Sequence, residues 1–184
     1  AALAKDAWLA HRHLYPAVKI YGIGHSFGGV LTALIHTSGD SPFHQAVLLD
    51  PVLFTPTMLT VMKSLNGVRL YHKNPLAKAA LRRRQHWPDK DSARQYLHNR
   101  GMFANWHEDA LAAYIDHALK PSEYGLSLKC QPEREADIFA SFPQKLWQQL
   151  STPCPPVQVI YGDKSYDFIA KAMAKWQRQN NAVT

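Results

Sequence analysis

Ser26 stands in the stretch Gly24-His25-Ser26-Phe27-Gly28, with a further Gly29 behind it. The spacing G-x-S-x-G makes a serine a candidate nucleophile when a strand turns sharply into a helix, because such a turn lifts the hydroxyl clear of the sheet. The glycines have a steric reason: strained backbone admits only neighbours without a Cβ at closest approach, and Gly24 and Gly28 fit those two places. The chemistry would be attack of the Ser26 hydroxyl on an acyl carbon. The Phe27 amide, at the positive end of a helix, would donate to the developing oxyanion. The plain alternative is a Gly-rich turn between a core strand and a core helix.

The flanks supply the elements that such a turn needs. Val18-Lys19-Ile20-Tyr21-Gly22-Ile23 reads as a strand and Val30 to Ile35 as a helix. Before them, Ala1 to Leu14 places Leu3, Ala7, Ala10 and Leu14 on one helical face, and Tyr15-Pro16 stops that helix. With this strand before and helix after, GHSFGG closely resembles the nucleophile turn of serine hydrolases in the α/β-hydrolase superfamily. The resemblance implies an α/β fold, a partial α/β-hydrolase with parallel strands flanked by helices and a helical cap insertion. It also implies Ser26 as nucleophile and the Phe27 backbone amide as one oxyanion donor.

Further along, Gln45-Ala46-Val47-Leu48-Leu49 is a short buried strand closed by Asp50-Pro51. From Phe54 to Leu150 only helical patterns are expected: one opened by Asn74-Pro75 and running to Arg84, one from Trp106 to Leu119, and one from Pro132 to Phe139. The resemblance makes this insertion a cap over the nucleophile, giving a core at 1–53, a cap at 54–150 and a return to the core at 151–184. Within it Trp87, Tyr96, Phe103, Trp106 and Tyr114 either line an apolar substrate pocket or form the insertion's own core. The run from Leu128 to Ala136 also resembles a stretch in a subgroup of capped hydrolases. Val157 to Gly162 is another parallel strand, and the last helix, Tyr166 to Gln179, turns Ile169, Ala172, Met173 and Trp176 to the core.

Many members of the superfamily carry the catalytic acid three residues after a glycine such as Gly162, and here that position is Ser165. Three acids compete instead. Asp50 comes first, at the end of the strand beside the nucleophile strand; Asp163 is the alternative; Asp167 is third. Each also fits an ordinary capping or turn carboxylate. The triad histidine should follow the acid, yet no histidine follows His117. The upstream loop that gives the second oxyanion donor is absent as well. A fragment cut at both ends, inactive on esters by itself, is the expectation.

Composition narrows the function classes. The chain has 184 residues, 46% of them hydrophobic, enough for a sizeable core. No apolar run approaches the roughly 20 residues that span a bilayer. The net charge of +7 makes a mildly basic surface, but the only dense cluster, Arg82-Arg83-Arg84, reads as the solvated face of a helix, so no nucleic-acid partner is expected. Cys130 and Cys154 show no C-x-x-C spacing and the histidines no metal motif, so neither metal nor cofactor is expected. Two free thiols suit a reducing, cytoplasmic compartment; a chain beginning at Ala1 says little about a signal peptide. The reading is an esterase-like hydrolase taking a small apolar acyl or ester substrate under the cap. Thioester, lactone and carbon–carbon bond substrates stay open. Epoxide and haloalkane substrates are disfavoured, because relatives acting on those use Asp where this chain has Ser26. The competing class is a non-catalytic binding protein on the same fold.

Overall fold

The computed structural model describes residues 1–67 and 75–184. They form two compact units, Ala1–Ser64 with Pro143–Thr184, and Leu65–Phe142. The first is built on three parallel strands, β1 (Tyr21–His25), β2 (Gln45–Leu49) and β6 (Val157–Ile160), in the order β1-β2-β6. Ile23 pairs with Val47, and Leu48 with Val159. Side chains alternate across the pleat, so Ala46 and Leu48 are fully buried on one face. The other face stays open, with Ile23 71% and Ile160 51% exposed and Tyr21 beside them. Pairing of the first strand begins at Tyr21, three residues later than the apolar run, and continues through His25 into the turn.

Helices α2 (Phe27–His36), α8 (Leu146–Leu150) and α9 (Asp167–Gln179) belong to this unit. Ile169, Ala172, Met173 and Trp176 are the buried stripe of α9, as their spacing requires. The Trp176 indole donates to the Leu150 carbonyl at 2.8 Å, and the Asn180 amide reaches the same oxygen at 3.3 Å. Beyond α9, Ala182 to Thr184 run parallel to β6; the Val159 amide donates to the Thr184 carbonyl at 2.8 Å. Helix α1 (Ala2–His11) corrects an expectation: it buries none of its residues, Leu3 is 85% exposed, and Leu14 lies in a following 3-10 turn, off the face that was to carry it. Helix α3 (Pro56–Gly67) opens at Pro56, a residue that suits a first turn because its missing N–H would have no partner there.

A buried polar tie closes the amino-terminal end of this sheet. His36, at the end of α2, is 1% exposed. Its Nε2 lies 2.9 Å from the Pro155 carbonyl and its Nδ1 2.8 Å from the Ser41 hydroxyl. A neutral imidazole satisfies both, Nε2–H donating to the carbonyl and Nδ1 accepting from the hydroxyl. Burial pushes the His36 pKa below its ordinary 6.5, and the Pro155 and Pro156 carbonyls oppose it.

The second unit overturns the all-helical expectation for 54–150. It contains an antiparallel sheet of β3 (His86–Trp87), β4 (Leu119–Ser122) and β5 (Gly125–Leu128), ordered β3-β5-β4. Strands of two to four residues are shorter than any window in which alternation stands out. Gly125, at φ +107, turns β4 back into β5, and a Cβ there would meet the Pro88 carbonyl oxygen at 2.2 Å. Around the sheet stand α4 (Pro75–Leu81), α5 (Lys90–Leu97), α6 (Glu108–Ala118) and α7 (Pro132–Ala140). Asn74, expected to open a helix with Pro75, lies outside the described residues. The Asp89 carboxylate caps α5 by accepting from the Ser92 amide at 2.7 Å.

Trp87, Leu97, Phe103, Leu111, Ile115, Leu119 and Leu128 make this unit's core, with Tyr96 and Tyr114 packed against it. Trp87, Tyr96, Phe103 and Tyr114 therefore take the core reading, Phe103 and Tyr114 meeting edge to face with centroids 4.8 Å apart, while Trp106 is 37% exposed. The arginine cluster needs correction. Helix α4 ends at Leu81, so Arg82 to Arg84 sit in the turn after it and not on a helix, with Arg82 and Arg84 solvated as expected. Arg83 is drawn inward, donating to the Glu135 carboxylate and, at 2.7 Å, to the Tyr114 hydroxyl.

Two stability outcomes follow. Trp176→Ala should lower unfolding free energy by about 3–5 kcal/mol, and Trp176→Phe by about 1–2 kcal/mol through the lost hydrogen bond; urea midpoints measure both. For His36, the unfolded state binds a proton more readily than the folded state. Its contribution is therefore intact above pH 6.5 and declines as pH falls below that value. The urea midpoint should drop between pH 7 and pH 5.5, and His36→Gln should flatten that drop while lowering stability at pH 7.

Candidate active site

Strand β1 delivers Ser26 into an uncommon backbone conformation, φ 51 and ψ −119. A non-glycine residue held there costs on the order of 1–3 kcal/mol. Hydrogen bonds on both sides hold it: the Ser26 amide donates to the Leu49 carbonyl at 3.0 Å, and the Ser26 carbonyl accepts from Val30 at 3.2 Å as the first bond of α2. Ser26 is thus the residue from which the helix starts. The Phe27 amide opens that helix, and among the described residues no backbone carbonyl accepts from it.

The glycines divide differently from expectation. A Cβ on Gly24 would lie 2.5 Å from both the Gly28 carbonyl oxygen and the Thr32 hydroxyl, so that position is closed to any side chain. A Cβ on Gly28 would meet nothing within 4 Å. The second tight position is Gly29, where a Cβ would stand 3.0 Å from Cβ of Pro51. The contact that Gly28 was expected to permit is made one residue later, because the first turn of α2 rotates Gly29 toward the chain leaving β2.

Asp50 occupies on β2 the place Ser26 has on β1, one residue past the carboxyl end of its strand. It too has positive φ, 48, and its amide donates to the Ile160 carbonyl at 2.7 Å. Leu49 links the two: its carbonyl accepts from Ser26, and Asp50 follows it directly. The Asp50 Oδ1 is buried without a hydrogen-bond partner among the described residues, a condition that calls for a donor. Asp163 lies exposed in the turn after β6, where the Ser165 amide closes onto the Gly162 carbonyl at 3.1 Å. Asp167 is exposed in the first turn of α9, where a carboxylate complements the helix dipole.

Among the described residues of the first unit, no imidazole hydrogen-bonds to Ser26 or Asp50. His25 ends β1 and is exposed, while His36 and His44 lie at the amino-terminal end of the parallel sheet, across its length from Ser26. Among the described residues no group of three His, Cys, Asp or Glu side chains could hold a metal ion, and no helix is long and apolar enough to cross a membrane. Sequence reasoning missed Gly29 and the twinned backbone of Ser26 and Asp50. A signal for the latter existed, since Asp tolerates left-handed backbone better than most residues and Asp50-Pro51 marks a strand end.

No family model matches the chain. Over 113 residues, 61% of its length, it is 28% identical to the abhydrolase domain-containing protein AKT2 of Alternaria alternata, of which it covers 38%. Over an equal length it is 26% identical to the abhydrolase domain-containing protein ACTT2 of the same organism. The solved structure of E-2-(acetamidomethylene)succinate hydrolase superimposes with a TM-score of 0.64 at 20% identity, over 96% of this chain and 60% of that one. The peroxisomal α/β-hydrolase Lpx1 of Saccharomyces cerevisiae gives a TM-score of 0.64 at 17% identity, over 99% and 49%. The chain thus matches well under half the length of its curated relatives and about half to three fifths of these structures. Sequence and fold point the same way: the chain has the fold of the α/β-hydrolases and is similar in sequence to abhydrolase domain-containing proteins.

Proposed function

We propose that the protein carrying this chain is a serine hydrolase that cleaves a carboxylic ester or similar acyl compound through an acyl-enzyme on Ser26. The observation that carries the reading is the backbone of Ser26, held at positive φ where β1 becomes α2, the strained turn that presents a hydroxyl for attack. The Ser26 oxygen bonds to the acyl carbon while its proton passes to a base, and the carbonyl oxygen becomes an oxyanion facing the Phe27 amide. Collapse expels the alcohol, which takes the proton. Water then attacks the acyl-serine, releasing the acid and restoring the hydroxyl. The base in this reading is an imidazole outside the described residues.

Asp50 is the proposed orienting carboxylate, with Asp163 as the alternative. The buried, unpartnered Oδ1 of Asp50 and its place beside Ser26 support that order; Asp163 is exposed. The insertion at 54–150, most of which falls in the Leu65–Phe142 unit, is proposed as the cap that selects a small apolar acyl or ester substrate. The structural neighbours include a succinate-derivative hydrolase and a thioesterase domain, which supports acyl chemistry and leaves the leaving group open.

In the natural-length protein, a fluorophosphonate probe should label Ser26 alone. Ser26→Ala should abolish labelling and short-chain ester hydrolysis and, by releasing backbone strain little, leave the thermal midpoint nearly unchanged; labelling that survives would end this assignment. Asp50→Asn should lower kcat by roughly 10⁴, the loss known when a triad carboxylate is neutralised, and Asp163→Asn by far less. The reverse order in steady-state kinetics would transfer the role to Asp163.

A further inference from the structure

A second place in the molecule has the chemistry of a binding site and owes nothing to Ser26. In the Leu65–Phe142 unit, Tyr96 stands on α5 with its ring edge to face against the buried Trp87, centroids 6.1 Å apart. Two guanidinium groups lie over that one ring: Arg84 at 4.8 Å and Arg100 at 4.2 Å from its centroid. Their central carbons are therefore at most about 9 Å apart. Both border an open cleft of about 780 Å³ whose floor adds the amide and hydroxyl groups of Ser92, Gln95 and Asn99. Among the described residues no Asp or Glu lines it.

Two cations this close repel each other, and a fold ordinarily answers with a carboxylate. Here none answers: among the described residues neither Arg84 nor Arg100 makes an ion pair. Asp91, in the first turn of α5, borders a neighbouring hollow and not this cleft, and three other acids have partners elsewhere. Asp89 caps α5, Glu108 meets Arg94 and His98, and Asp116 meets Lys90. Arg84 is further oriented by its Nε–H, which donates to the His86 carbonyl at 2.9 Å and leaves both terminal nitrogens facing outward from that bond. Stacking on a ring held by Trp87 limits the freedom each guanidinium would lose on binding.

We propose that this cleft binds a small dianion, one bearing a phosphate group or two carboxylates, with Arg84 and Arg100 as its paired anchors and Tyr96 as the platform that holds them. Guanidinium forks match such oxyanions through paired N–H donors, which a lysine ammonium does not reproduce. The polar side chains of Ser92, Gln95 and Asn99 supply the neutral donors that fix orientation.

The test titrates the chain with inorganic phosphate and, separately, with glutarate, at low ionic strength, by calorimetry. At least one should bind saturably at one site, and the tighter of the two identifies the phosphate or the dicarboxylate. Arg84→Gln and Arg100→Gln should each weaken binding about tenfold or more, while Lys171→Gln, on α9, should leave it unchanged. Should an arginine variant fail to fold, amide shifts in the wild-type chain decide: changes centred on Gln95 and Asn99 support the site, and changes elsewhere or none overturn it. Absence of saturable binding by both anions, or an equal loss in Lys171→Gln, also overturns it.

Discussion

The first unit depends on the register of three parallel strands. Because β2 is bonded on both sides, its carbonyls and amides set where its neighbours end: Leu49 receives the amide of Ser26, and Asp50 gives its own to Ile160. One register thus fixes two residues at one edge of the sheet, each at positive φ. A slip of one residue would turn every side chain to the opposite face and separate the pair. Burial of Ala46 and Leu48 resists the slip, since both would move from a dry face to an open one.

The second unit is organised by aromatic packing rather than by register. Its strands are too short to stabilise a sheet alone, and they persist because Trp87, Leu119 and Leu128 lie in the same core as the α5 and α6 residues. The arginines after α4 are shaped by that core. Arg83 reaches a carboxylate and a tyrosine hydroxyl, while Arg84 lies over aromatic faces. Two consecutive residues of one type therefore meet different surroundings, because a turn points successive side chains in different directions.

What could be read from the sequence follows from the physics of each element. The buried stripe of α9 was legible because its burial repeats with the helical period, and the strand Gln45–Leu49 because a short apolar run closed by Asp50-Pro51 reads as one. The strained strand-to-helix turn at Ser26 was legible because such backbone limits the residue types around it. Gly29 was not, since its constraint comes from Pro51, a neighbour in space that spacing along the chain does not reveal. Strands β3 to β5 were hidden by their length, and α1 misled because a helical pattern predicts a face without predicting what covers it. His36 was one histidine among ten; only its meeting with Pro155, 119 positions away, sets it apart.

The open face of the parallel sheet has a colloidal consequence. Ile23 and Ile160, on the two strands flanking β2, expose 71% and 51% of their surfaces on the same face as Tyr21, on paired backbone that cannot fold the patch away. Brownian encounters between two such molecules would be attractive over a flat, apolar area, while the net charge of +7 supplies the opposing repulsion. Salt shortens the reach of that repulsion and leaves the apolar attraction in place. Dispersions of the isolated chain should therefore be most persistent at low ionic strength, the reverse of proteins that clump through attraction between opposite charges.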